Sequence, residues 1–541
     1  MKSSRSIELL QVRPVLIASV LLGLLACVIA GAADTALRSV RRAGVDDVTT
    51  LDPHKVGYPG ETTVMSDLFV GLTTLNAAAE VIPGCAESWT ISPDGKTYRF
   101  RLRNALKWSD GSALTAADFE YSLRRALQPA TAFPYAGRLY LIKNARQVAR
   151  GEMPVEALGV KAIGEREVIV TLEHPAPYLL ELLATFGMPV PRGRVEKLGA
   201  DWSKIGNLVN DGPFIAVEWV PNSRVRLRRN PNFYDNARMP VDEVLHIPVT
   251  QPASAIRQFQ AGELDFVLVV PPEQVTFARQ TFGAALKVEP GLGVELVAFN
   301  NKSGATRDVR VRQALSMVID REALAKNILG DTSVAAYGYV ARGTHNYPQP
   351  ARAEFATWSS SQRVERAKAL MQAAGYGPDN TLSLRFAFAA NDTNRRIALV
   401  LDSMWRRIGV RVQLLAKEQR AVLADVVSGD FDLVRTQWLS GHTDAMSFLE
   451  RLDGEAAGTT MNPSWYRSTV FDRLVAAAEN EVDTAKRAAL LRQAEAAALA
   501  DQPAAPLFYY IGRRLVAPRI TGWTNNARGI YLSRYMSVAA K

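Results

Sequence analysis

The histidines are the first side chains to consider for metal binding or acid–base catalysis. No two of them have the HxH or HExxH spacing that would bring a pair of imidazoles to one metal ion. The sequence therefore predicts no metal site. The five histidines are His54, His174, His246, His345 and His442.

Motifs for nucleophilic or phosphate chemistry are also missing. No GxSxG elbow, Walker A loop or GxGxxG fingerprint follows a predicted strand. The Gly-Leu-Gly sequence at 291–293 lacks the rest of a dinucleotide motif, and we predict a loop there. Carboxylates are plentiful, but no sequence feature places two of them across a scissile bond. We predict no catalytic residues and no cofactor, and we expect a protein that is not an enzyme.

Composition narrows the class of protein. The chain has 541 residues, of which 48% are hydrophobic and 22% charged, as in large globular proteins. Two cysteines exclude a disulfide framework. The net charge of +10 is spread along the chain without a long Lys/Arg run, so we predict no nucleic-acid partner.

The N-terminus has the layout of a secretory signal peptide, predicted over residues 1–33. Basic residues precede an apolar run at 15–30, and small residues follow it. One alternative is an anchoring helix, although the run is shorter than the roughly 20 residues that a membrane span prefers. The other is lipidation at Cys27, where no polar linker follows. We expect the mature chain to be exported, with Cys85 as its single cysteine.

Two parts of the chain differ in the secondary structure that their sequences predict, and these elements must position any functional site. Between 90 and 172 the sequence predicts a hairpin at 90–102, a helix beginning at Thr115 and a further strand, together an antiparallel sheet with helices. From about residue 250, helices alternate with strands, which predicts a sheet covered by helices. Two of these helices are predicted to end at Gly262 and Gly429, since glycine adopts the left-handed conformation at low cost.

Four segments carry a resemblance to a known family. They are PGCAESW at 83–89, SPDGKTY at 92–98, LKWSDG at 106–111 and TAADF at 115–119. Together they resemble the family 5 extracellular solute-binding proteins, the periplasmic receptors of oligopeptide ABC importers. The similarity extends, more weakly, over essentially the whole mature chain.

The resemblance implies an α/β fold of the periplasmic-binding-protein type, with two lobes around a cleft (type II-like) and an additional inserted α+β domain. Lobe I would comprise 34–73, 190–290 and 506–541. The inserted domain II would comprise 74–189, and lobe III would comprise 291–505. A ligand would be captured between the lobes by hinge closure.

The resemblance also implies a set of ligand-binding residues. Arg435 lies on a predicted strand, where a buried charge needs a partner, either a ligand carboxylate or a structural acid. The predicted ligand-binding residues are Glu61, Tyr135, Asn394, Arg435, Gln437, Trp438, Leu439, Ser440, Gly441 and His442.

Three charged positions of the family pattern are missing. Gly441 stands where oligopeptide receptors place an aspartate that holds the peptide ammonium, Asn394 replaces a histidine, and Val426 replaces an arginine. Either Asp444 substitutes for the missing carboxylate, or the ligand lacks a free α-ammonium at that place. We hypothesise the second, because a buried ammonium without a carboxylate would be costly.

We therefore expect a monomeric periplasmic receptor that captures a peptide, or a modified or murein-derived peptide, and delivers it to an inner-membrane ABC permease. An exported peptide or murein hydrolase is one alternative. A receptor for a non-peptide solute, or a ligand sensor, is another.

Overall fold

The computed structural model describes residues 37–329 and 334–539. The predicted signal peptide, including Cys27, lies outside the described residues. Within the described ranges, no helix combines the length and the hydrophobicity needed to cross a bilayer.

Strands and helices alternate along most of the chain. The strands are β1 (Ser39–Gly44), β2 (Thr73–Leu75), β3 (Val81–Pro83), β4 (Ala86–Ile91), β5 (Thr97–Leu102), β6 (Val160–Ile163), β7 (Glu167–Thr171), β8 (Phe214–Val220), β9 (Arg224–Arg229), β10 (Glu243–Pro248), β11 (Phe266–Val267), β12 (Leu286–Phe299), β13 (Val334–Ala335), β14 (Leu382–Ala389), β15 (Val410–Lys417), β16 (Leu433–Leu439), β17 (Ala504–Val516), β18 (Ile520–Thr521) and β19 (Ser537–Val538). The helices are α1 (Pro59–Leu68), α2 (Ala116–Leu127), α3 (Ala145–Ala149), α4 (Leu179–Phe186), α5 (Arg192–Leu198), α6 (Pro252–Gln260), α7 (Val275–Phe282), α8 (Val309–Met317), α9 (Arg321–Leu329), α10 (Ser360–Ala373), α11 (Asp392–Arg406), α12 (Gln419–Ser428), α13 (Met446–Leu449), α14 (Thr469–Glu479) and α15 (Thr484–Asp501).

The predicted antiparallel sheet near the N-terminus is confirmed. Strands β4 and β5 form the hairpin, with Trp89 opposite Phe100, and the sheet order is β4-β5-β7-β6. Helix α2 begins where predicted, because the Asp118 carboxylate accepts the Thr115 N–H at 2.8 Å and so satisfies a free donor of the first turn.

The large sheet has the order β15-β14-β16-β12-β17-β11-β1-β10-β9-β8. Strands β15 and β16 both run parallel to β14, so the carboxyl ends of these three strands lie at one edge of the sheet. Strands β12 and β17 pair with each other in antiparallel fashion and lie next to this parallel group.

The predicted glycine helix ends are confirmed. Gly262 after α6 and Gly429 after α12 have φ of 73° and 79°, the left-handed conformation. Between Gly262 and α7 the chain forms only the two-residue strand β11.

The loop predicted at 291–293 is wrong, because these residues lie within β12. The pairing of β12 with β17 shifts register between Pro290 and Val294. A Cβ on Gly291 would lie 2.5 Å from the ring of Tyr510, so the glycine leaves room for that ring against the strand. The two glycines from which we predicted a loop instead lie at a β-bulge of β12.

Two large hydrophobic cores contain most of the buried side chains. One lies under β12, β14 and β16 and includes Phe299, Phe386 and Trp405. The other joins the antiparallel sheet to β1, β9 and β10 and includes Phe100 and Trp202. The predicted lobe boundaries are not tested by these cores and stay a prediction.

A buried carboxylate on α15 fixes the segment that follows β13. One oxygen of Glu495 accepts the N–H groups of Tyr339 and Val340, at 2.8 and 2.9 Å. The other accepts the Tyr347 hydroxyl and the Ala351 N–H, each at 2.8 Å. Burial raises the pKa of Glu495, and these donors oppose the rise. The segment is therefore held to α15 by one charge.

Replacing this carboxylate should cost stability. In Glu495→Gln an amide NH₂ would face backbone N–H donors, so we expect the free energy of unfolding to fall by about 3 kcal/mol. Urea unfolding followed by circular dichroism measures the change. Glu365→Gln on the exposed face of α10 is the matched control and should change stability little. Equal stability of the two variants would contradict the role of Glu495 in holding the segment after β13 to α15.

Candidate functional site

A cleft of about 730 Å³ opens at the carboxyl ends of the parallel strands. Its floor is the segment 434–437 of β16, and its walls are the start of α11 at 391–394 and the face of α12 at 419–426. Val269, residues 271–273, Thr460 and Pro463 complete the rim. Open α/β sheets bind ligands at this edge, where loops and helix N-termini converge.

Three predicted ligand-binding residues line this cleft together: Asn394, Arg435 and Gln437. The buried Asn394 side chain donates to the Ala389 carbonyl at 2.7 Å, which orients the amide at the end of β14. Val426, at one of the positions where the family pattern has a charged residue, lines the same cleft. The structure therefore brings together two of the three departures from that pattern.

Arg435 has a protein partner. Its Nη2 lies 2.8 Å from Oε2 of Glu295 on the neighbouring strand β12, and the two side chains are 13% and 9% exposed. Of the two partners left open by the sequence, the structure supplies the structural acid. The Arg435 Nε is buried without a hydrogen-bond acceptor among the described residues.

Glu61 and Tyr135 lie away from the cleft and close to each other. Glu61 is fully buried, and its oxygens accept the N–H groups of Thr49 at 2.9 Å and Gly57 at 2.8 Å. The Tyr135 hydroxyl donates to the carbonyl of the same Gly57 at 3.3 Å. Both side chains thus organise the segment that precedes α1, and their predicted contact with a ligand stays a prediction.

The end of β16 alternates between core and surface. Trp438 is 1% exposed and packs on Tyr339, with ring centroids 5.5 Å apart. Leu439 is 42% exposed, and the Ser440 N–H donates to the Leu292 carbonyl at 2.9 Å. Trp438 therefore supports the strand from the core side, while Leu439 faces the outside.

Gly441 lies against the side chain of Arg138, which belongs to the segment between α2 and α3. A Cβ on Gly441 would lie 3.0 Å from Cζ of Arg138. The Arg138 guanidinium pairs with Glu450, Nη1 to Oε1 at 3.0 Å. The space where a longer side chain at 441 would extend is already occupied by a cation.

The surroundings of this loop are rich in guanidinium groups. Burial and repulsion from Arg138 lower the pKa of Arg451 to about 10, although attraction to Glu450 opposes the fall. Burial lowers the pKa of His442 to about 3, so that its imidazole is neutral, and it stacks on Tyr178 with centroids 4.2 Å apart. An ammonium brought here would meet positive charge.

Asp444 is not free to replace the carboxylate missing at 441. Both of its oxygens accept from Arg487, at 2.7 and 2.9 Å, and both side chains are 6% exposed. A buried bidentate pair of this kind is a structural contact.

Several residues of the site were not predicted from the sequence. Asn391 and Thr393 lie in the start of α11, and Asn391 caps that helix by accepting the Asn394 N–H at 2.8 Å. An Asn followed by a helical pattern is a local signal that could have identified them. Glu295 and Arg138 gave no such signal, because their partners are more than a hundred residues away in sequence.

In the part of the chain that the structure describes, no group of three or more His, Cys, Asp or Glu side chains is arranged to hold a metal ion.

Comparison with known proteins places the chain among binding proteins. Residues 80–460 match the family model for bacterial extracellular solute-binding proteins, family 5. The periplasmic oligopeptide-binding protein OppA of Escherichia coli K12 is 34% identical over 492 residues, covering 90% of this chain and 89% of the relative. The structure of the murein tripeptide binding protein MppA of Escherichia coli superimposes with a TM-score of 0.81 at 31% identity, covering 94% of this chain and 99% of that one. The Escherichia coli K12 protein named "Probable deoxycholate-binding periplasmic protein YgiS" is 33% identical over 488 residues, with 88% and 89% of the two chains covered.

The Asp444–Arg487 pair gives a stability test. Asp444→Asn would leave the buried Arg487 charge without its carboxylate, so we expect the free energy of unfolding to fall by about 3 kcal/mol. Urea unfolding measures the loss. Asp402→Asn is the control. It removes an ion pair with Arg406, a side chain that is 60% exposed, so it should have a small effect on stability. If the variant were as stable as wild type, the assignment of Asp444 as the structural partner of Arg487 would be wrong.

Proposed function

This chain belongs to the family 5 bacterial extracellular solute-binding proteins, and we propose that it is a periplasmic receptor that binds a peptide-like solute and delivers it to an inner-membrane ABC permease. The observation that carries this proposal is the polar cleft at the carboxyl ends of β14, β15 and β16. Relatives named for binding oligopeptides and murein peptides support it. Because those relatives are binding proteins, we infer that this chain is not an enzyme.

The proposed receptor has the three-part organisation expected from the sequence: lobe I at 34–73, 190–290 and 506–541, domain II at 74–189, and lobe III at 291–505. Contacts between domain II and lobe III support a closed arrangement. Besides the Arg138–Glu450 pair, Glu181 of α4 accepts the Thr443 N–H at 2.8 Å. Ligand capture is then a shift of population from an open to a closed form.

The end of the ligand that approaches Gly441 carries no free ammonium in this proposal. The Arg138 guanidinium fills the space beside Gly441, and Arg451 adds a second cation next to the pair that Arg138 forms with Glu450. Asp444 is committed to Arg487. A blocked or modified peptide avoids the like-charge repulsion that a free peptide ammonium would meet.

A non-peptide solute is the second candidate. The 33% identical relative named for binding deoxycholate supports it, because deoxycholate has no ammonium group. The closed space around Gly441 is compatible with both candidates.

The proposal is tested by the ligand that the protein carries. Native mass spectrometry of protein purified from a periplasmic extract should detect a peptide-like compound with a blocked amino end. Recovery of ordinary tri- to pentapeptides with free amino termini would contradict the ligand class. Recovery of a steroid or another non-peptide would select the second candidate.

Arg138 should determine the preference for a blocked end. With purified protein freed of ligand, we expect N-acetyl-trialanine to bind about tenfold more tightly than trialanine, and Arg138→Gln to reduce that ratio to about two. Isothermal titration calorimetry measures both affinities. Arg146→Gln, which removes a more exposed arginine of the same region, is the matched control and should leave the ratio unchanged. An Arg138→Gln ratio equal to that of wild type would count against the role of this residue.

A further inference from the structure

The charged side chains that line the cleft carry one positive and two negative charges: Arg435, Glu273 and Asp392. Glu273 lies at the rim, 3.7 Å from Arg396, with both side chains 45% exposed. Asp392 is exposed in the first turn of α11, where the helix dipole stabilises a carboxylate. Arg435 is therefore the single cationic side chain among the described residues that line this cleft.

The charge of Arg435 is already neutralised by Glu295 on the neighbouring strand. Glu295 lies opposite Gln437 in the β12–β16 ladder, and Arg435 is two residues from Gln437, so all three side chains are on one face of the sheet. The Arg435 guanidinium contacts the Glu295 carboxylate at 2.8 Å, and the pair is largely buried. Burial raises the pKa of Glu295, and the charge of Arg435 opposes that rise.

Uncharged hydrogen-bonding groups make up the rest of the polar lining. All but Thr460 come from β16 and the first turns of α11 and α12. They are Asn391, Thr393, Asn394, Gln419, Thr436, Gln437 and Thr460. Amides and hydroxyls both donate and accept, so they can pair with neutral amide groups without leaving an unmatched charge.

We propose that this cleft binds an uncharged, amide-bearing end of the ligand, and that Glu295 excludes a free terminal carboxylate by occupying Arg435. A ligand carboxylate at Arg435 would share one guanidinium with a second, buried carboxylate, and two like charges on one cation repel strongly where water is excluded. This inference rests on the proposed function and specifies the ligand further, as a peptide whose carboxyl end is amidated or otherwise uncharged.

The test compares two probes that differ only at this end, N-acetyl-trialanine and N-acetyl-trialaninamide, by isothermal titration calorimetry at pH 7 on ligand-free protein. Wild type should bind the amide about tenfold more tightly than the acid. Glu295→Gln frees Arg435, so it should bind the acid about tenfold more tightly than wild type does and change the amide affinity less than about threefold. Glu365→Gln removes an exposed carboxylate of α10 outside the cleft and should keep the wild-type preference.

The outcomes separate this inference from the proposed function. Equal binding of the two probes by wild type, a wild-type preference for the acid, or an unchanged ratio in Glu295→Gln overturns the inference and leaves the receptor intact. Failure of wild type and all variants to bind either probe overturns the peptide receptor and this inference with it. Should Glu295→Gln not fold, the wild-type ratio of the two affinities decides, because equal binding of the two probes or tighter binding of the acid overturns the inference by itself.

Discussion

The pairing of β12 with β17 is the constraint on which the rest of the molecule depends. Strand β12 runs for 14 residues, and β17 follows it on both sides of the bulge at Gly291. One half of this ladder borders the parallel strands, and the other half leads through β11 to β1. The other strands of the large sheet pair outward from this ladder. Its register therefore determines where the cleft and the two cores lie.

Several buried charges of the protein lie beside groups that compensate them. Strand β12 presents Glu295 to Arg435 on β16, while elsewhere Asp444 meets Arg487 and Glu61 is surrounded by backbone donors. A buried charge is tolerated only when a partner or several hydrogen bonds compensate for the lost water. The result is a cleft whose polar groups are mostly neutral amides and hydroxyls, although the chain as a whole is basic.

Local patterns in the sequence predicted much of the secondary structure. The cap of α2 at Thr115, the helix ends at Gly262 and Gly429, and the hairpin of β4 and β5 were predicted correctly, because each depends on neighbouring residues alone. The loop predicted at 291–293 was wrong for the converse reason. Gly291 is required by the ring of Tyr510 and Gly293 by the side chain of Leu439, and both partners are more than a hundred residues away.

The sequence by itself determined the family, the class of fold and which charged positions of the family pattern are absent, since motifs and residue types are properties of the chain. Only the tertiary structure decided which group lies beside Gly441 and which partners the remaining charges, Arg435 and Asp444, have. It placed Arg138 over Gly441, Glu295 on Arg435 and Arg487 on Asp444. These partners come from separate elements, and the free energy of a buried charge depends on the groups within a few ångströms, which sequence distance does not specify.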